Sequence, residues 1–378
     1  MDPEHLKIGF VRRGFSSSGG AEAYLRRLAQ GVCGAGHAAH LVTTEEWPAN
    51  EWPFGPLARV PGKSPTQFAD EVEELHPRLG CDVVMSLERV WRCDVYRAGD
   101  GVHRAWLDRR AKFGGAMRKV AVALNRKHRA ILQLEASLFR HGGARRVIAN
   151  SEMVKREMMD LYAYPAEQMD VVYNGVPVES FRSRAEERAG SRTALGLEQD
   201  DVAVLFAGSG WERKGLRFAI EAVESCRDPR MQLLVAGRGN QSKYRSSSAQ
   251  FLDVVPDLSR LLAAADIFLL PTIYDPFSNA CIEAIAAGVP VITTSANGFS
   301  EIIENGTHGS VVDDPADVRA LASALRLWSD APRRTAARVP LQALAARFDI
   351  SVNVAQTLEI LRQAAASAAS TSGKIRKT

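Results

Sequence analysis

The chain has 378 residues, 46% of them apolar and 24% charged, with a net charge of +4. That length accommodates two ordinary domains, and that balance of residue types belongs to a soluble globular protein. No apolar run approaches the roughly 20 residues needed to span a bilayer, and five scattered cysteines without a Cys-x-x-Cys pair support neither a disulfide framework nor a zinc site.

The start, Met1-Asp2-Pro3-Glu4-His5, is acidic and lacks the apolar core of a signal peptide, so the expected location is the cytoplasm. Charge is unevenly placed. Residues 104–129 hold nine lysines and arginines against one acid, Asp108, while the rest of the first half is net acidic. A block of that kind points to an anionic partner.

In chain order, Leu6–Val11 reads as a short buried strand, followed by a loop to Gly20 and a helix from Ala21 to about Cys33. Leu41–Thr44, Asp82–Ser86 and Arg146–Asn150 are further strands with helical stretches between them, the alternation of a parallel α/β sheet. The turn Ser18-Gly19-Gly20 ends a strand and opens a helix. Two glycines let a ligand approach the backbone, and free amides there suit an anion, although a plain strand-to-helix turn has the same composition. Asp100 lies between Gly99 and Gly101 just after an extended segment, so its side chain is expected to project from a strand end. The commoner fate of such an aspartate is to bond its own turn. His103, three residues on, is a second candidate; a surface or capping histidine is the ordinary reading.

From Trp106 to Arg129 bases interleave with Trp106, Leu107, Phe113, Met117, Val120, Val122 and Leu124. A helix there has one apolar face with cationic flanks, as an interfacial membrane helix does. A solvated helix over ordinary core is the alternative. Nucleic acid is a third reading, without a recognised motif to support it.

The second half restarts the alternation at Val202–Ala207, after the polar stretch 183–192, which places a domain boundary near Asn174–Val178. The loop Gly208-Ser209-Gly210-Trp211-Glu212-Arg213-Lys214-Gly215 fails two tests. A dinucleotide fingerprint needs glycine where Arg213 stands, and a P-loop needs Gly-Lys-Ser/Thr. What remains is an Arg-Lys pair at a strand-to-helix junction, suited to a pyrophosphate. Further on, the strand Ile267–Pro271 leads into Asp275-Pro276-Phe277-Ser278-Asn279 and a helix over 280–287. Pro276 keeps Asp275 out of helical geometry, Ser278 or Asn279 caps the helix, and Gly288 ends it before the strand Val291–Thr294. Asp275 and Glu283 therefore sit on a loop and the helix it feeds, at the carboxyl edge of a parallel sheet, where open α/β folds bind ligands. A last helix is expected over about 347–361, with a disordered low-complexity tail over 362–378.

Four motifs together resemble the large retaining glycosyltransferase family 4. They are Ser18-Gly19-Gly20-Ala21-Glu22, Arg213-Lys214-Gly215, Ala264–Pro271, and Asp275–Glu283 with Gly288-Val289-Pro290-Val291. The first half further resembles the lipopolysaccharide core glucosyltransferases, through Asp94-Val95-Tyr96-Arg97-Ala98-Gly99-Asp100 and the basic region after it. The resemblance implies a GT-B fold, two Rossmann-like α/β domains facing each other across a cleft. The acceptor-binding domain would span 1–175, with the last helix crossing back onto it, and the nucleotide-sugar domain 176–346.

By resemblance, Glu283 binds the ribose, Arg213 and Lys214 neutralise the diphosphate, and Gly19 and Gly20 approach it. Asp275 and the backbone of Phe277, Ser278 and Asn279 hold the donor sugar, and Asp100 is the acid/base group. Family members carry Glu where this chain has Asp275 and Gly where it has Ser278, so the donor sugar is left open there. The implied activity is metal-independent transfer of a hexose, glucose being expected, from a UDP-sugar to a lipopolysaccharide-core-like or other lipid-linked saccharide. No cofactor or nucleic acid is implied, and the setting is peripheral, at the inner face of the cell membrane. The alternatives are a non-hydrolysing UDP-sugar epimerase of the same fold and a sugar-nucleotide-binding protein without turnover.

Overall fold

A computed structural model describes residues 5–16, 20–113, 125–182, 187–255 and 257–375. The chain divides into two compact units: unit 1 is Met1–Tyr173 with Ser351–Thr378, and unit 2 is Asn174–Ile350.

Unit 1 is built on seven strands: β1 (Lys7–Val11), β2 (Ala38–Thr43), β3 (Leu57–Arg59), β4 (Val83–Ser86), β5 (Cys93–Arg97), β6 (Ala144–Ala149) and β7 (Met169–Val171). Their spatial order is β3-β2-β1-β4-β5-β6-β7, with every pair parallel. Phe10 on β1 lies opposite Leu41 on one side and Met85 on the other. Ile8, Phe10 and Val11 are fully buried, as a central strand covered on both faces requires. The strand order reverses between β1 and β4, and the chain ends leaving those strands form a switch point at the carboxyl edge.

Unit 2 has six parallel strands: β8 (Val202–Ala207), β9 (Met231–Ala236), β10 (Ala249–Phe251), β11 (Ile267–Leu270), β12 (Val291–Thr294) and β13 (Gly309–Val312). They lie in the order β10-β9-β8-β11-β12-β13. All six residues of β8 and all four of β11 are buried, which is why both segments are uninterrupted apolar runs. The switch point here falls between β8 and β11. Gly215, after the loop leaving β8, has φ +79°, and a Cβ there would lie 1.8 Å from the Pro271 carbonyl oxygen. Only glycine lets these two chain segments cross so closely.

The units divide between Tyr173 and Asn174, two residues before the expected boundary, and the chain re-enters unit 1 at Ser351. One expectation needs correction. The last helix, expected over 347–361 with a disordered tail from 362, runs instead from Ile350 to Ile375. The tail is rich in alanine, the best helix former, and its low complexity is helical rather than disordered. This helix packs on unit 1. Asn353 accepts from the Tyr24 hydroxyl at 3.0 Å and donates to the Tyr173 carbonyl at 2.6 Å, and Arg362 reaches His37 Nε2 at 3.2 Å.

The basic segment 104–129 is not described as one helix. It holds most of the helix His103–Lys112 and the start of Arg126–Arg140, and 114–124 lie outside the described residues. Among the described residues, no helix is long and apolar enough to cross a membrane.

Candidate functional site

In unit 2, the loop after β8 and the loop after β11 meet at the switch point. Lys214 reaches across to Asp275, Nζ to Oδ2 2.6 Å, with both side chains largely buried. The stem of Lys214 passes over Gly208, whose missing side chain leaves it room. The Arg213 carbonyl accepts from the Thr272 hydroxyl at 2.8 Å and from the Ile273 amide at 2.9 Å, so the backbone of the Arg-Lys pair is fastened to the loop after β11. The half-buried Arg213 guanidinium makes no hydrogen bond or ion pair among the described residues.

The loop from Asp275 to Asn279 is clamped by its backbone. The Asp275 amide donates to the Ala296 carbonyl at 3.0 Å, and its carbonyl accepts from Gly298 at 2.9 Å. Asn174 donates through Nδ2 to the Phe277 carbonyl at 3.0 Å and to Asn279 Oδ1 at 2.8 Å. The fully buried Asn297 accepts through Oδ1 from the Ser278 amide at 3.4 Å and the Phe299 amide at 3.1 Å. Phe277 packs against Phe299 and Phe348. The helix then runs over Asn279–Ala286, with Ser278 as an extended N-cap whose hydroxyl makes no capping bond. Cys281, Ile282, Ala284, Ile285 and Ala286 face the core. Asn279 and Glu283, four residues apart and half-buried, share the opposite face. Gly288, φ +77°, closes the helix.

In unit 1, Arg12 follows β1 and is surrounded by three carboxylates: Glu22 at 3.2 Å, Asp100 at 3.5 Å and Glu88 at 3.9 Å. Burial works against the guanidinium's charge, but Asp100, Glu88 and Glu22 override it and push its pKa further up. Asp100 follows β5, and its side chain is 52% exposed. Behind it, Arg89 pairs with the fully buried Glu135 at 2.9 Å and donates to the Gly101 carbonyl at 2.8 Å. His103 Nε2 lies 3.0 Å from His128 Nδ1. Burial, with Arg89 and His128 nearby, lowers the His103 pKa to about 3, so both imidazoles are neutral near pH 7 and one N–H joins them.

Arg213, Lys214, Asp275, Phe277, Ser278, Asn279 and Glu283 all fall on the two loops and the helix at one switch point of unit 2. Asp100 follows β5, one strand beyond the switch point of unit 1, and reaches Arg12, which leaves β1 at that point. Gly20 begins the helix Gly20–Gly34, while Gly19 and Ser18 lie outside the described residues. The direct pairing of Lys214 with Asp275 was not foreseen. Arg12, Arg89, Glu135, Asn174 and Asn297 were also missed. Of these, only Asn174 carried a local signal, the strand-ending Asn174-Gly175 turn. Among the described residues, no three His, Cys, Asp or Glu side chains gather as they would around a metal ion.

Comparison with known proteins covers both units. Residues 18–180 match the family described as Glycosyltransferase Family 4, and residues 201–330 match Glycosyl transferases group 1. An uncharacterized glycosyltransferase of Methanocaldococcus jannaschii, MJ1607, is 29% identical over 43% of this chain, which spans 45% of that protein's length. The lipopolysaccharide glucosyltransferase WaaG of Escherichia coli is 26% identical over 84% of this chain and 88% of its own. A crystal structure of WaaG superimposes with a TM-score of 0.80 at 23% identity, covering 94% of this chain and 99% of WaaG. The Anabaena protein HepE, solved with UDP and glucose, gives a TM-score of 0.71 at 20% identity over 94% of this chain and 99% of HepE. The architecture shared with these structures is the GT-B fold.

Proposed function

We propose that this chain, which belongs to glycosyltransferase family 4, moves a hexose from a UDP-sugar to a saccharide acceptor, with retention of configuration and without a metal ion. The observation that carries the reading is the meeting of Arg213, Lys214 and Asp275 at the unit 2 switch point, on a loop clamped by backbone bonds. Breaking the bond between the sugar and the diphosphate leaves negative charge on the departing UDP. The Arg213 guanidinium and the Lys214 ammonium offset that charge as it develops. Glu283 accepts from the ribose hydroxyls. Asp275, held by Lys214 through Oδ2, keeps lone pairs for donor-sugar hydroxyls, and the backbone of Phe277, Ser278 and Asn279 completes that face. Gly20, with Gly19, serves the diphosphate, and Asp100 is the acid/base group for the acceptor hydroxyl. In its neighbour His103, Nε2 is engaged by His128 and burial lowers the pKa to about 3, which makes that imidazole a weak proton acceptor and supports Asp100 for the proton transfer.

Glucose is the donor sugar in this reading, supported by WaaG being a glucosyltransferase and by HepE having been solved with UDP and glucose. The acceptor is a lipopolysaccharide-core-like or other lipid-linked saccharide. Peripheral attachment to the inner face of the cell membrane rests on the bases of the helices His103–Lys112 and Arg126–Arg140. The test is UDP release from UDP-glucose, with and without a truncated, heptose-terminated lipopolysaccharide. Arg213→Ala is expected to lower kcat about 10²–10³-fold with an unchanged melting temperature, because among the described residues its side chain makes no hydrogen bond or ion pair. Wild-type turnover in that variant overturns the assignment. Conversion of UDP-glucose without acceptor favours an epimerase.

A further inference from the structure

We propose that Glu135 is a positioning residue for Asp100, holding in place the turn that presents it. The inference rests on the reading of Asp100 as the acid/base group. Glu135 lies in the helix Arg126–Arg140, more than thirty residues beyond the turn, and its side chain is 0% exposed. A carboxylate taken wholly out of water costs several kcal/mol unless donors meet it. Four do, with an ion pair beside them. Oε1 accepts from Arg89 Nε at 3.0 Å and from the His103 amide, and a terminal guanidinium nitrogen of Arg89 lies 2.9 Å away as its counter-charge. Oε2 accepts from the Tyr162 hydroxyl at 2.8 Å and the Arg104 amide at 3.2 Å.

Two of these donors are the first amides of the helix His103–Lys112. Its N-cap residue, Val102, has no side chain able to satisfy them. Glu135 supplies the missing cap from another helix. Through Arg89 it also reaches the other side of the turn, since Arg89 donates to the Gly101 carbonyl at 2.8 Å. The Gly101 amide bonds the Ala98 carbonyl at 3.0 Å, and Asn150 donates to the Gly99 carbonyl at 3.3 Å. Gly101 itself is left-handed, φ +67°. The peptide groups flanking Asp100 are thus fixed on both sides, and the half-exposed acid stands on a buried one.

Packing alone does not account for this arrangement. A buried ion pair can often be replaced by apolar residues of similar volume at no loss of stability. What an apolar residue cannot do is bind two amides and one guanidinium at once, and so set where Asp100 lies. A general base displaced by about 1 Å loses on the order of 10²-fold in rate.

Glu135→Gln keeps the side-chain volume but turns one acceptor into a donor facing donors. Using UDP-glucose with heptose-terminated truncated lipopolysaccharide, the expected result is a roughly 10–100-fold lower kcat with the KM for UDP-glucose within about twofold. In the Asp100→Asn background the same change should cost nothing more. Independently of any substrate, hydrogen exchange of the Gly101–Arg104 amides should quicken about tenfold or more, while β5 keeps its protection. Should Glu135→Gln not fold, Tyr162→Phe removes one donor and is expected to lower kcat a few-fold with the same KM pattern.

Unchanged exchange at Gly101–Arg104, a loss confined to KM, or a full additional loss in the double variant each overturns the inference. A slow Asp100→Asn beside a fully active Glu135→Gln overturns it alone. A fully active Asp100→Asn removes the acid/base reading and this inference with it.

Discussion

At the carboxyl edge of unit 1 one arginine sits among three carboxylates, and a second is locked to a buried glutamate. At the corresponding edge of unit 2 a single lysine meets a single aspartate, and the rest of the loop is held by backbone bonds and two asparagines. Both edges lie at switch points of parallel sheets. They differ in redundancy. Arg12 can lose one partner and keep two, whereas Lys214 and Asp275 depend on each other. Unit 1 fixes its exposed acid through charged side chains gathered from the segments after β1 and β4 and from two helices. Unit 2 fixes its loop through the main chain and leaves few charges, each consequential.

That contrast can be broken most directly at Lys214. Lys214→Ala leaves Asp275 buried without its cation, and a loss of about 3–5 kcal/mol in unfolding free energy is expected. Lys214→Met combined with Asp275→Asn should recover most of it. Urea unfolding of the three variants measures this, and a loss below about 1 kcal/mol for Lys214→Ala would mean that the pair carries little. At Arg12 the matching change is Glu22→Gln, which keeps a polar contact and leaves Glu88 and Asp100 in place. A smaller cost, about 1–2 kcal/mol, is expected. Equal losses at the two sites would erase the distinction between them.

The last effect, absent at neutral pH, appears only on acidification. The folded His103 resists protonation down to about 3, while the unfolded chain takes up that proton near 6.5. Its contribution to stability is therefore complete above about pH 6.5 and is lost progressively as pH falls toward 3. His103→Gln should flatten that part of the acid unfolding profile by a few degrees in Tm. A profile superimposable on the wild type would place the acid sensitivity elsewhere, in His37 or His40, for example, which burial also lowers.

The loop and helix around Asp275 were legible because glycine and proline punctuate them. Pro276, Gly288 and Pro290 constrain the backbone locally, and the helix was expected within one residue of where it lies. The central strands were legible as apolar runs, whereas the three-residue β3 and β10 at the sheet edges carry too little pattern to announce themselves. Arg89, Glu135 and Asn297 left no trace in the sequence. The Arg89–Glu135 bond joins residues 46 positions apart, and a buried glutamate in an amphipathic helix reads like any solvated one until the fold closes over it. The Lys214–Asp275 contact, 61 positions apart, was hidden for the same reason, although both residues had been singled out.

The route of the chain has a consequence for its synthesis. Unit 2 is one uninterrupted stretch, and near its two ends the Val176 amide bonds the Phe348 carbonyl and the Ile350 amide bonds the Val176 carbonyl. Everything that unit needs has left the ribosome once residue 350 has emerged. Unit 1 begins first and finishes last. Its Tyr24 and His37 wait for Asn353 and Arg362, and Gly31 waits for the methyl groups of Val354. During translation the later-made half can therefore fold to completion while the earlier-made half still has an open groove, the resting place of residues not yet joined to the chain.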